Sequence, residues 1–330
     1  MKKIWRKRSR IFIIVGLCML AIYTIWDNNR ITIVKQDIVM DGLPNELEGF
    51  TILQIADLHE KEFGENQSSL IEAINSQYYD VIVFTGDMLR NKNRTDYTSF
   101  YSLLDGIEKK DVAYFVSGNT DPDSYRVTPY FEKSAFIRGM EERGVQLLES
   151  IDTIQIGSAK VYITYFELAI LNEISPETID NIAYYPDEPY GRSREYVAYQ
   201  GKLLLELQEA LKRKSASDLL IALNHFPVVD ERVDEIIDST FLSWQNFDLI
   251  ISGHYHGGQI RVPVLGAVFV PESWYRSGFF PPQDRVKGLW EYYNTKHYVS
   301  TGLGSSNAVS FLNFRLFNSP EINVITFTGG

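Results

Sequence analysis

From Phe50 to the C-terminus, short apolar runs rich in β-branched residues alternate with amphipathic stretches. The runs are TILQIA (51–56), DVIVFTG (80–86), VAYFVSG (112–118), VYITYF (161–166), DLLIALN (218–224), DLIISG (248–253), HYVSTG (297–302) and INVITFT (322–328). Their length and composition predict strands. Between them, Ser68 to Ser76, Tyr97 to Lys109 and Lys202 to Lys214 carry helical periodicity, with Leu203, Leu204, Leu207 and Leu211 on one face. Strands alternating with helices imply an α/β layered domain over residues 49–330. The rhythm fails from 172 to 200, where prolines, acids and five tyrosines gather. That stretch reads either as a functional lid or as a plain surface insertion. Trp274, Tyr275, Phe279 and Phe280 read either as an apolar rim for a substrate or as core packing.

The N-terminus has a different pattern. Residues 1–10 (MKKIWRKRSR) hold six Lys and Arg and no acid, and Ile11 to Trp26 is an uncharged, mostly apolar run. Sixteen residues span roughly 24 Å as a helix against about 30 Å of hydrocarbon, a gap that local bilayer thinning and a snorkelling Arg10 close. The 11–26 segment is expected to be an uncleaved signal anchor, because no A-x-A site follows it. A cleaved signal and a buried core helix are the competing readings. The basic leader then stays in the cytoplasm, residues 27–48 form a stalk, and the rest lies outside the cytoplasmic membrane.

Charge sharpens this division. The formal net charge is −11, so residues 11–330 carry −17 once the six basic residues of the leader are set aside. Such a body repels polyanions, which argues against nucleic acid and requires any phosphate site to bring its own positive charge. A single cysteine, Cys18, excludes an intrachain disulfide and a cysteine zinc framework. The composition contains nothing that demands an oligomer, and a monomer is expected.

Five of the strand runs end in polar clusters: Asp57-Leu58-His59, Gly86-Asp87, Gly118-Asn119-Thr120-Asp121, Asn224-His225 and Gly253-His254-Tyr255-His256-Gly257-Gly258. Ligands of layered α/β sheets bind at the carboxyl ends of strands, so these clusters should converge. Four of the five histidines lie in them, and so few histidines would produce only about 0.08 H-x-H pairs by chance. Asp57, His59, Asp87, Asn119, His225, His254 and His256 make a nitrogen and oxygen donor set suited to Mn, Fe or Zn. Seven donors are too many for one ion, and two ions sharing a ligand is the economical reading.

The order D-x-H, G-D, G-N-x-D, H, G-H-x-H over residues 57–256 resembles the calcineurin-like metallophosphoesterase superfamily. GHYHGGQIRVP (253–263), with GLGSS and NSPEI further on, resembles its membrane-associated bacterial YaeI/YkuE-like phosphodiesterase branch. The resemblance covers about residues 48–328. It implies a four-layer αββα sandwich, with Asp57, His59 and His256 on one metal, Asn119, His225 and His254 on a second, and Asp87 bridging. It also implies hydrolysis of a phosphoester by a metal-bridging hydroxide, with Asp87, Asn119 and His225 as the catalytic set. The expected substrate is a small or lipid-linked phosphate ester cleaved by a phosphodiesterase or pyrophosphohydrolase. Family members commonly place an acid histidine where this chain has Thr120. A hydroxyl cannot supply that proton near neutral pH, so the substrate should have a good leaving group. The alternative is an anchored pseudoenzyme or binding scaffold. Asp121 is expected either to support a ligand loop or to cap a turn. His297 is read as structural or as a replacement acid, and Gly257-Gly258 either as a close backbone approach to the site or as an ordinary turn.

Overall fold

The computed structural model describes residues 2–174, 193–271, 278–306 and 313–330, with side chains from residue 8 onward. The apolar runs become strands whose side chains alternate between two faces. In chain order these are β1 (Thr32–Met40), β2 (Thr51–Ile55), β3 (Val81–Phe84), β4 (Ala113–Phe115), β5 (Gln146–Leu147), β6 (Ile151–Ile156), β7 (Ala159–Tyr165), β8 (Leu219–Leu223), β9 (Leu249–Ser252), β10 (Gly288–Tyr292), β11 (Thr295–Val299) and β12 (Glu321–Gly329). They form two six-stranded sheets, ordered β1-β12-β2-β3-β4-β5 and β10-β11-β9-β8-β7-β6. Neighbours from β2 to β5 run parallel, as do β7, β8, β9 and β11, so the loops at their carboxyl ends share one edge of each sheet.

Alternation along each strand builds the layers. Leu53, Ile55, Ile82 and Phe84 face the helices α2 (Ser68–Asn75), α3 (Thr98–Gly106) and α4 (Ala135–Glu141). Ile52, Val81 and Val83 point the other way and meet Ile163, Ile221 and Ile251 between the sheets. On the far side, Tyr162, Leu220 and Ile250 pack against Leu203 and Leu207 of α5 (Arg194–Leu211) and Val233 and Ile236 of α6 (Asp230–Asp238). Each fully buried aliphatic side chain contributes about 1.5–3 kcal/mol. The result is the four-layer αββα sandwich. Polar side chains also join the sheets: Gln54 donates from Nε2 to Thr85 Oγ1 and to the Ser252 carbonyl, both at 2.8 Å, and Asn323 Nδ2 donates to Tyr298 Oη at 2.9 Å.

One expectation about the N-terminal part changes. Residues 27–48 are more than a spacer, because β1 lies within them and pairs with β12 over its whole length. An edge strand exposes every second residue, and only Ile38 of β1 is fully buried, which diluted its apolar signal. The apolar N-terminal run forms α1 (Lys2–Asn28), in which the segment from Arg8 to Asn28 is long and apolar enough to cross a membrane by length and composition. Its apolar stretch, residues 11–26, is not buried inside the protein, unlike a core helix. Residues 175–192 of the expected insertion, and Trp274 and Tyr275, lie outside the described residues. The insertion's last residues already belong to α5, whose first turn is capped by Ser193 Oγ accepting from the Tyr196 amide. Phe279 and Phe280 are exposed.

Candidate metal centre

Each polar cluster follows a strand by no more than four residues, which carries the side chains to the shared edge of the sheets. Asp57 follows β2, Asp87 follows β3, Asn119 follows β4, His225 follows β8 and His254 follows β9. The two sheets are tied there directly. The His254 amide donates to Asp57 Oδ1 at 3.0 Å, and His225 Nδ1 lies 2.8 Å from the Thr85 carbonyl. A carbonyl only accepts, so Nδ1 carries the proton and the Nε2 lone pair of a neutral His225 points inward.

All seven predicted residues come together. Asp57, His59 and His256 form one group, with His59 Nε2 and His256 Nε2 only 3.1 Å apart. Asp87, His225 and His254 form a second, with His225 Nε2 at 3.1 Å from both His254 Nδ1 and Asn119 Oδ1. Asp87 Oδ2 stands between them, 3.5 Å from His59 Nε2 and 3.4 Å from His225 Nε2. Six of the seven are buried, while Asn119 is exposed and marks the opening. Imidazole nitrogens and carboxylate oxygens aimed at common points are a donor set that fits divalent cations.

The backbone is distorted to achieve this. Asp57, His59, Asp87, His254 and His256 have φ of 51°, 47°, 57°, 66° and 49°. Left-handed non-glycine residues cost on the order of 1–3 kcal/mol each and persist where the surroundings over-determine them. Asp121 is part of that restraint. Its Oδ2 accepts from the amides of Asp87 and Gly118 at 2.7 and 2.9 Å, and its Oδ1 from those of Met88 and Leu89 at 2.9 and 3.1 Å. Of its two expected roles, it takes the support of the Asp87 loop. Gly118 leaves room for that loop, since a Cβ there would sit 2.2 Å from Asp87 Oδ1.

Thr120 is also committed to this loop. Its amide donates to Asp87 Oδ1 at 2.8 Å and its hydroxyl to the Leu89 carbonyl at 2.6 Å. His297 lies on β11 opposite Ile250, on the helix-facing side of its sheet, stacked on Trp290 at 5.3 Å between ring centroids. It is structural. Gly257 and Gly258 do adopt positive φ, but their close approaches are to Thr301 and Ala267, as in a tight packed turn.

Electrostatics divides the histidines. Burial, joined by the neighbouring His225 charge, pushes His254 down to about 3. Burial also lowers His59 and His256, so these rings are neutral near pH 7. His225 differs: burial opposes its charge, but the Asp87 carboxylate overrides burial and raises it to about 9. Burial works to raise Asp87 too, and the surrounding imidazoles, His225 first, hold it below the usual carboxylate range. Burial pushes Asp57 up to about 7.

Sequence reasoning missed Arg315. Arg315 is fully buried and donates to the carbonyls of Asn318 (2.8 Å), Gly304 (2.7 Å), Thr301 (2.8 Å) and His256 (3.3 Å). Asn318 Nδ2 donates to the same His256 carbonyl at 2.6 Å. GLGSS closes the other side, with the amides of Leu303 and Gly304 donating to the carbonyls of Ala56 and Asp57. A lone arginine inside the apolar string FLNFRLF was the available signal.

The sequence profile of the calcineurin-like phosphoesterases matches residues 50–258, and the chain belongs to that family. It is 27% identical over 294 residues to the metallophosphoesterase YkuE of Bacillus subtilis, covering 86% of this chain and 81% of that one. With YkoQ of the same organism it is 25% identical, covering 86% and 84%. Among solved structures it is similar to the phosphopantetheinyl hydrolase PptH of Mycobacterium tuberculosis, with 15% identity, 78% and 91% coverage and a TM-score of 0.42. The chain is thus a metal-dependent phosphoesterase of the YkuE-like branch, in a family that uses two metal ions.

Proposed function

We propose that this calcineurin-like phosphoesterase is a phosphodiesterase or pyrophosphohydrolase, held by α1 on the outer side of the cytoplasmic membrane and acting on envelope or lipid-linked phosphates. The observation that carries the reading is Asp87 Oδ2, placed 3.5 and 3.4 Å from one imidazole of each ligand group. A carboxylate oxygen placed between the two groups suits a ligand shared by two ions. Asp57, His59 and His256 would hold the first ion; Asn119, His225 and His254 the second; Asp87 both. The donor set is compatible with Mn, Fe or Zn. When bound, such a pair supplies an activated water and neutralises charge on the phosphoryl group.

The chain's own residues do the rest. Asp121 fixes the Asp87 loop, the Thr85 carbonyl selects the His225 tautomer, and Asn119 is the solvent-exposed member of the donor set. Thr120 offers no acid because its hydroxyl proton is held by Leu89. A phosphoanhydride or an activated diester, whose leaving group departs without a proton, is therefore the favoured substrate. The −17 body directs the choice toward a small or membrane-held ester rather than a polyanion such as nucleic acid. We expect it to work as a monomer, since all seven donors come from one chain.

The test is turnover of bis-p-nitrophenyl phosphate and p-nitrophenyl phosphate by the full chain loaded with Mn²⁺, beside Asp87→Ala and His256→Ala. We expect diester hydrolysis lost in both variants. A wild-type rate no higher than theirs, with less than one ion bound per chain, would identify a scaffold instead.

A further inference from the structure

The end of α1 does not simply lead into the catalytic body; it forms one wall of the approach to the metal centre. A cleft of about 290 Å³ has Thr24, Ile25 and Asn28 of α1, with Asn29 just after it, on one side and His59, Lys61 and Arg90 on the other. The helix is held in place by specific bonds. Asn28 exchanges two hydrogen bonds with the Arg315 backbone, at 2.7 and 2.8 Å, and Lys61 Nζ donates to the Asn28 carbonyl. Asp27 Oδ1, buried, accepts from Ser319 Oγ at 2.6 Å, and Tyr23 packs on Phe317 with 5.5 Å between ring centroids.

We infer that this cleft binds the phosphate headgroup of a membrane lipid, which reaches His59 from the bilayer side while its acyl chains stay beside α1. The inference rests on the anchored phosphoesterase reading and names its substrate class. Tyr23 and Trp26 are the residue types that settle at the membrane–water interface, and Arg30 lies over Trp26 at 4.7 Å. From Tyr23 to its end at Asn28 the helix climbs only about 7.5 Å, which is headgroup depth. The cleft is at the small end of ligand sites, roughly 300–1,000 Å³, so it admits a headgroup and leaves the chains outside. Lys61 and Arg90 supply the cationic lining that an otherwise acidic body lacks, and an anionic phosphate is the complementary ligand.

The test uses the full chain, treated with chelator, in phosphatidylcholine vesicles containing a phosphatidic acid with a diazirine next to its headgroup. Illumination should label the peptides bearing residues 24–29 and 59–61. Unlabelled phosphatidic acid should displace the label, and glycerol 3-phosphate at the same bulk concentration should not. Thr24→Phe in α1 and Asn29→Trp just after it, which fill the cleft, should lower the ratio of diacylglycerol pyrophosphate to bis-p-nitrophenyl phosphate turnover by at least about tenfold in the Mn²⁺-loaded protein. Label spread evenly along α1, displacement by glycerol 3-phosphate as strong as by lipid, or an unchanged ratio in both variants overturns the inference. Absence of aryl ester turnover by the wild type would defeat the phosphoesterase reading separately, with the labelling pattern still deciding the cleft.

Discussion

Asp121 shows how much a residue that touches no substrate can control. Its carboxylate accepts four backbone amides, two of them from Asp87 and Met88, so the position of the shared ligand depends on it. In Asp121→Asn one acceptor becomes an NH₂ group facing N–H donors, and the loop must move. Losses of partners behind a metal ligand typically cost 10–100-fold in affinity. We expect Mn²⁺ affinity, measured by calorimetric titration, to fall by about that factor while the circular dichroism spectrum of the fold is retained. Thr120 allows the opposite kind of test. If its hydroxyl only ties the loop to Leu89, Thr120→Val should lower stability by about 1 kcal/mol in urea unfolding and leave the shape of the pH–rate profile unchanged. A lost limb in that profile would restore Thr120 as a proton donor.

At the level of elements, periodicity revealed the strands buried on both faces and hid those at the edge. β3, β8 and β9 are fully buried and appear in the sequence as continuous apolar runs. β1, exposed at every second position, resembled a stalk. The metal centre was readable because its residues are chemically rare and follow strand ends, so position along the chain translated into position in space. Arg315 showed only as a lone charge in an apolar string, and its partners were not readable, since they are backbone carbonyls from three separate loops and carbonyls leave no trace in side-chain identity. Those loops carry GLGSS, NSPEI and His256, and one guanidinium holds them together. Arg315→Met keeps bulk and removes every donor, leaving buried carbonyls unpaired at about 1–3 kcal/mol each. We expect a loss of at least about 3 kcal/mol in denaturant unfolding, with weakened metal binding at the His256 group. An unfolding midpoint within error of wild type would show that the loops hold without it.

For the whole molecule, the acidic body and the metal centre are linked through protons. The basic leader is set apart in α1, so residues 11–330 bear −17 and can gain about four positive charges from two divalent ions. In the metal-free site the positive charge is a proton on His225, whose value of about 9 lies above the ordinary 6.5 because Asp87 overrides burial. That raised value stabilises the metal-free fold fully below about 6.5 and ceases to do so as pH rises through about 9. A metal ion needs the neutral ring, so it competes with this proton at every pH below about 9. Asp57, pushed by burial to about 7, adds a second competing proton below that point. Apparent Mn²⁺ affinity should therefore rise about tenfold per pH unit between about 7 and 9 and more steeply below about 7. The gain in melting temperature on adding Mn²⁺ should widen in the same direction. Calorimetry in buffers of different ionisation enthalpy reads the proton release directly, and a binding heat independent of buffer would show that His225 is already neutral before the metal arrives.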